Sequence, residues 1–372
     1  TSNACTITLP ASASVGDTII FTDYARNWGT NGITIDSNGL NYQSRDDTFT
    51  VEYGTDGMTL AITYMNATQG WVPTIDEAVA DVPSKANTEG IFGFGTDGTS
   101  VVSMTNLVSD AGVVATDVTG VGTARRYLAG CEYGGDKGIF GFGFANGGGR
   151  VGVTNLVSNA GVVATDVSAV GTARSGLGAC EYGDDKGIFG FGDAGAYTAV
   201  TNLVSNTGVV ASDVTGVGTA RNYTAACEYG GDKGIFGFGT TGSVTGVTNL
   251  VSNTGVVATD VSAVGTARAG IAACSYGEDK GIFGFGTTGS YTGATNLVSN
   301  AGVVASDVTG VGTAREELGA CEYDQDKGIF GYGYDASGRT AVTNLVSNAG
   351  VVATDTTGVG TTRNGVGACS FN

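Results

Sequence analysis

Apolar residues along the chain fall into short runs such as Gly161–Ala164, punctuated by Gly, Asp, Asn and Thr. None approaches the roughly 18 apolar residues that a membrane-spanning helix needs. Over residues 177–214 the pattern predicts four strands. Leu177–Tyr182 is short and apolar, and 183–187 (Gly-Asp-Asp-Lys-Gly) is turn chemistry. Ile188–Gly192 alternates, which predicts Phe189 and Phe191 on one face and Ile188, Gly190 and Gly192 on the other. Val200–Ser205 and Val209–Val214 follow, joined by an Asn-Thr-Gly hairpin turn.

This pattern recurs. Gly-Ile-Phe-Gly-Phe/Tyr-Gly begins at Gly90, Gly138, Gly187, Gly234, Gly281 and Gly328, with spacings of 48, 49, 47, 47 and 47. Four short strands in a period of 40–50 residues predict propeller blades. The array starts at Gly90 on the second strand of a unit, while Arg363–Asn372 reads as the first strand of one. The C-terminus therefore supplies the missing strand, which favours a closed six-bladed β-propeller over an open solenoid with exposed pairing edges. Within it, the Phe row of one blade is expected to fill the space left by the Gly row of its neighbour, which accounts for Gly inside strands.

The preceding residues differ in kind. Cys5–Leu9, Thr18–Thr22, Gly32–Ile35, Thr48–Tyr53 and Met58–Tyr64 read as strands separated by Asp/Asn/Gly turns. The predicted organisation is all-β: a small β domain over 1–72, a linker over 73–89 with helical character in Ile75–Val82, and the propeller over 90–372.

Charge and composition narrow the function. The net charge is −18, divided as −8 over residues 1–89 and −10 over 90–372, a surface that repels phosphate backbones and anionic lipid. No nucleic-acid partner and no membrane insertion are expected. There is no His, which removes Ser-His-Asp and Cys-His catalysis and His-based zinc sites. No signal-peptide pattern is visible in the residues at hand. No cofactor is implied.

The repeats resemble those of kelch-type propellers: an Arg opens each unit, then come a small-apolar strand, a turn, and a hydrophobic strand ending in glycines. They depart from that family in Gly-Phe-Gly for its paired glycines and in lacking its late Trp, since Trp28 and Trp71 lie outside the array. The resemblance implies partner binding more than catalysis. Cys5-Thr-Ile-Thr-Leu-Pro, Gly16-Asp-Thr-Ile-Ile-Phe, Thr59-Leu-Ala-Ile-Thr-Tyr and Asn66-Ala-Thr-Gln-Gly-Trp-Val are similar to a small β module of phage tail fibres and other virion proteins. That similarity implies a virion or extracellular location, with residues 1–72 attaching to other virion proteins or forming a homo-oligomeric, trimeric stalk.

Several groups recur once per unit. Cys131, Cys180, Cys227, Cys274, Cys321 and Cys369 read as small buried hydrophobes with free thiols, and Cys5 has no evident partner. Asp117, Asp166, Asp213, Asp260, Asp307 and Asp355 would make a thin calcium site, with one carboxylate per blade. Together with Arg125, Arg174, Arg221, Arg268, Arg315 and Arg363 they read as structural, the Arg capping carbonyls or pairing with the Asp. No metal site is assigned. The Asp-Lys turns read as solvated tips. Glu316-Glu317 is the only adjacent acidic pair that departs from its counterparts, and it is not spaced as a glycosidase pair. No enzyme is expected.

Two segments vary between units: the pair after each Arg, and the loop after Gly-Phe-Gly, which includes Phe144. In an antiparallel meander both lie at one end, where binding loops usually reside. The candidate ligand-binding residues are Arg126, Tyr127, Arg150, Tyr197, Tyr223, Tyr291, Tyr334 and Arg339, types favoured at binding hot spots and against sugar rings. The expected function is a phage-like fibre or decoration protein whose propeller binds a host-surface glycan or protein receptor. The alternative is a purely structural capsid, fibre or surface-layer component.

Overall fold

The computed structural model of the chain describes residues 3–45, 47–48, 51–78, 88–168, 170–262 and 264–372. The regular structure among them is β-strand, in two compact units, Thr1–Ser84 and Lys85–Asn372. The protein is all-β.

The first unit has six strands: β1 (Cys5–Thr8), β2 (Thr18–Thr22), β3 (Ile33–Asp36), β4 (Val51–Tyr53), β5 (Met58–Asn66) and β6 (Gly70–Ala78). β1 and β4 flank β3 in one sheet, with β1 parallel to β3, and β2 and β6 flank β5 in the other. Alternate residues turn inward, so Ile33 and Ile35 of β3 and Leu60 and Ile62 of β5 join Trp28 and Trp71 in one core. The segment read as a linker starts as strand. Ile75 pairs with Ala61, so the helical character expected from Ile75 is replaced by β6 as far as Ala78. Residues 79–87 lie outside the described residues.

The second unit holds six antiparallel three-stranded sheets of one design. Sheet I joins Gly367–Phe371, Glu89–Gly93 and Thr105–Val108; sheet II joins Ala129–Tyr133, Lys137–Gly141 and Thr154–Val157. Sheet III comprises Gly178–Tyr182, Lys186–Gly190 and Thr201–Val204, and sheet IV Ala225–Tyr229, Lys233–Thr240 and Val244–Val251. Sheets V and VI comprise Ala272–Tyr276, Lys280–Gly284 and Thr295–Val298, then Gly319–Tyr323, Lys327–Gly331 and Thr343–Val346. The C-terminal strand fills the first place of sheet I, with Cys369 opposite Ile91 just as Cys131 lies opposite Ile139 in sheet II. The expected pairing of chain ends is therefore present.

Successive sheets pack face to face as the Phe and Gly rows require. A Cβ on Gly141 would stand 2.6 Å from Phe189, and one on Gly190 would stand 2.7 Å from Phe236. The same relation links Gly331 of sheet VI to Phe92 of sheet I at 2.7 Å. On the reverse face each cysteine occupies the hollow over a glycine: Cys131 over Gly187, Cys321 over Gly90, Cys369 over Gly138.

Two details differ from the sequence expectation. Phe191 does not share a face with Phe189. Its strand ends at Gly190, and a φ of 63° turns the side chain over to join Cys180 and Ile188, edge-on to Phe236 at 5.2 Å. Phe94, Phe142, Phe238, Phe285 and Tyr332 repeat this turn. The fourth segment is also not a regular strand. Isolated bridges such as Val204 with Val210 and Thr201 with Val214, and side-chain bonds such as Asn202 Nδ2 to the Ala211 carbonyl, hold it in place of a continuous ladder, and Val209 remains 64% exposed.

Candidate functional site

The recurring Arg and Asp bond to groups inside the fold. Every Arg that opens a unit is fully buried. The Arg174 guanidinium stacks on Phe142 of sheet II at 4.1 Å, while its Nε donates to the Phe191 carbonyl of sheet III at 2.9 Å. One cation thus joins two sheets through its ring face and its donor fork. Asp166 accepts from the Thr123 backbone N–H at 3.0 Å and from Asn155 Nδ2 at 2.9 Å. Burial pushes its carboxyl up, but the hydrogen bonds from Thr123 and Asn155 prevail and hold it below the usual range. Among the described residues no group of three or more His, Cys, Asp or Glu is placed to hold a metal ion. The Asp-Lys tips are only partly solvated, because they tie neighbouring sheets together: Gly183 N–H donates to the Asp232 carbonyl at 2.7 Å.

The two variable segments meet at one end of the sheets. Arg126 pairs with Phe144, and Glu316 bridges Tyr334. Ser175 bridges Asp193, and Asn222 bridges Thr240. The residue that follows each of these first positions has a left-handed backbone: Tyr127 (φ 56°), Gly176 (64°), Tyr223 (54°), Gly270 (63°), Glu317 (56°) and Gly365 (63°). These six line one cavity of about 60 Å³. Leu128, Leu177, Thr224, Ile271, Leu318 and Val366 complete its lining. Backbone hydrogen bonds tie parts of this rim together: Tyr127 N–H to the Gly365 carbonyl, Gly176 N–H to that of Tyr127, and Gly365 N–H to that of Glu317, each 2.8 Å.

Large and small residues alternate on the rim. Tyr127 and Tyr223 meet edge to face, with centroids 5.4 Å apart and planes at 90°. The Tyr223 hydroxyl lies near that of Tyr127, and the Tyr127 hydroxyl lies near the Glu317 carboxylate. Asn364 Nδ2 donates to Glu317. Burial raises the Glu317 pKa, opposed by Asn364, Tyr127, Arg126 and Arg339. Burial and the added charge of Glu317 lift Glu316 to about 7. Burial, with Glu317 beside it, raises the Tyr127 phenol well above its ordinary value, so the hydroxyl stays protonated and acts as a donor. The Arg126 guanidinium stacks on the Tyr127 ring at 4.8 Å.

The eight sequence-predicted residues therefore form three groups. Tyr127 and Tyr223 line the cavity, and Arg126 stacks on Tyr127 beside it. Tyr291, Tyr334 and Arg339 form a second group, with the two tyrosines 6.3 Å apart and Arg339 stacked on Tyr334 at 5.5 Å. Arg150 and Tyr197 form a third around Asp193, which Arg150 binds at 2.7 Å and Tyr197 bridges through its backbone. Sequence reasoning passed over Glu317, Asn364, Asn222 and Thr224. The signal for Glu317 was present: the residue two places after each Arg reads Tyr, Gly, Tyr, Gly, Glu, Gly around the array.

The first strands also line a cavity of about 50 Å³ bordered by the six repeat cysteines and by Glu132, Glu181, Glu228, Ser275, Glu322 and Ser370. Those thiols are free and buried, and burial pushes their pKa values up. No protein-family model and no curated protein sequence matches the chain.

Proposed function

We propose that residues 90–372 form a six-bladed β-propeller, closed where the C-terminal strand pairs beside Glu89–Gly93, and that its variable end binds a glycan on a host surface. Closure is supported by contacts that run from the last sheet to the first: Gly331 against Phe92, and Gly90 against Cys321. Asn372 N–H donates to the Asp136 carbonyl of sheet II at 3.0 Å, and Asp324 N–H donates to that of Thr88 at 3.0 Å. The kelch-like reading of the repeats rests on this architecture together with the residues that open each unit.

The observation that carries the binding reading is the cavity between Tyr127, Tyr223 and Glu317. It combines aromatic faces, convergent polar groups and an apolar floor, the make-up of a small-molecule or sugar site. Three non-glycine residues hold a left-handed backbone there at a cost of about 1–2 kcal/mol each, where the alternate sheets use Gly. A stability optimum would place Gly at all six. The proposal is a binder and not an enzyme, with the Tyr127 hydroxyl kept protonated as a hydrogen-bond donor.

The proposed setting is a virion-associated fibre or decoration protein, outside the cell, with residues 1–72 attached to other virion proteins. It rests on the similarity of that segment to phage β modules. The test is adsorption of the full chain to host cells and to their surface polysaccharide. Replacing Tyr127, Tyr223 and Tyr291 together by Ala should abolish it. Unchanged adsorption would sink the assigned face and favour the purely structural reading, in which loss of residues 90–372 harms assembly alone.

A further inference from the structure

We infer that the cavity between Tyr127, Tyr223 and Glu317 takes the N-acetyl group of a 2-acetamido sugar. The inference rests on the glycan-binding reading and names the substituent that reading leaves open.

Size comes first. A cavity of about 60 Å³ holds a few heavy atoms and no sugar ring, since a single water needs roughly 10–15 Å³. A substituent enters it while the ring stays at the rim, against the tyrosine faces.

Chemistry comes second. The cavity walls from Leu128, Leu177, Ile271, Leu318 and Val366 are aliphatic and suit a methyl group, not a hydroxyl or a charge. Polar atoms without a partner lie on one lining residue, Thr224, and on three residues adjacent in sequence to lining residues. Asn222 Oδ1 and Asn364 Oδ1 are acceptors, and Thr224 Oγ1 is a donor or an acceptor. Arg126 Nε is an unspent donor. Asn222, Asn364 and Thr224 are 7%, 5% and 6% exposed, so leaving these atoms unmet is costly. Thr224 lines the cavity, and Asn222 Oδ1 stands over Gly176, where a Cβ would meet it at 1.9 Å. An acetamido group matches the lining: an N–H for the unpartnered Thr224 Oγ1, a carbonyl for a tyrosine hydroxyl, and a methyl for the aliphatic walls.

A free amine is the competing occupant, because tyrosine faces and a carboxylate attract cations. Here Glu317 already accepts from Asn364, and the nearby Arg126 and Arg339 guanidiniums repel a further positive charge.

The test is saturation-transfer NMR and calorimetry on the full chain. The probes are N-acetylglucosamine and N-acetylgalactosamine, with glucosamine, glucose and galactose as controls. The acetyl methyl should receive the strongest saturation, and the acetylated sugars should bind at least tenfold more tightly than their controls. Tyr223→Gly places the alternate sheets' own residue at that position, so it should keep the fold, checked by its thermal melting temperature, while the preference is lost. Glu317→Gln keeps the shape and serves as a second variant. It should weaken acetylated sugars several-fold and leave the preference over glucose in place. Tighter binding of glucosamine, or host polysaccharide binding with none of the acetylated sugars bound, overturns the acetamido assignment and leaves the glycan reading standing. Failure of every sugar and of host polysaccharide overturns both.

Discussion

The guanidinium of Arg363 lies 4.6 Å over the ring of Tyr332, and its Nη1 donates to the Met104 carbonyl at 2.8 Å. It thereby joins sheet VI to sheet I, which are 259 residues apart along the chain at that bond. Replacing Arg363 with Ala should destabilise the second unit by about 2–4 kcal/mol, from one desolvated cation–π contact plus charge-assisted hydrogen bonds. Arg363→Lys should recover only part of this, because an ammonium cannot both stack and fork. Denaturant unfolding followed by tyrosine fluorescence measures it, and a wild-type midpoint for Arg363→Ala would refute the assigned role.

Glycine positions should divide sharply. At Gly141 an added Cβ would meet the buried Phe189 ring at 2.6 Å, whereas at Gly149 it would meet nothing within 4 Å. Gly141→Ala should lower stability by about 1–3 kcal/mol through overpacking. Gly149→Ala should lie within roughly 0.5 kcal/mol of the parent. Equal melting temperatures for the two variants would contradict the packing described.

Acid should unfold the second unit through its six repeat aspartates. Asp117, Asp166, Asp213, Asp260, Asp307 and Asp355 all titrate below their ordinary value. A depressed folded pKa gives stability that is present above the unfolded value near 4 and is lost as pH falls through the folded value. Melting temperature should therefore fall steeply below pH 4. Asp166→Asn should lower it at neutral pH and flatten the acid limb, as read by calorimetry across pH.

Glu316 works in the opposite sense. Its folded pKa of about 7 lies above the unfolded value, so its contribution is most favourable at low pH and declines as pH rises from about 4.5 to 7. Glu316→Gln should melt above the parent at pH 8 and with it at pH 4. A variant that melts below the parent at pH 8 would show that the carboxylate is stabilised where it stands.

The repeat cysteines should be silent in the native protein. All six are buried, with thiol pKa values raised by burial. A thiol reagent at pH 8 should label only Cys5 in the folded chain and all seven cysteines in denaturant. Native labelling of two or more would disprove their burial.

Sheet placement was legible because period and alternation report which residues face a neighbour: Gly141 opposite Phe189 follows from the two rows alone. Phe191 was misplaced because strand alternation assumes extended backbone, whereas its φ is positive and its ring lies under the Arg221 guanidinium at 4.0 Å. The fourth segment was read as strand from its valines, although at the sheet margin it makes isolated bridges and not a continuous ladder. At the site, Tyr127 and Tyr223 were found through their departure from the repeat. Glu317 was set aside with Glu316 as a pair not spaced for glycosidase chemistry, while its neighbours in space, Asn364 and Tyr127, lie 47 and 190 residues away in sequence. Chemistry assembled from that far apart has no local signature.

The chain enters and leaves the second unit at one point. Thr88 N–H donates to the Asn372 carbonyl at 2.8 Å, and the two flanking strands pair from Glu89 to Phe371. That proximity makes the order of the sheets along the chain a matter of where the backbone happens to be cut. A short linker from Asn372 to Thr88, with new termini opened in the unobstructed loop at Gly147–Gly149, should give a circular permutant of the second unit with the same six sheets and the same cavity. A carrier could then be fused at a different place on its perimeter.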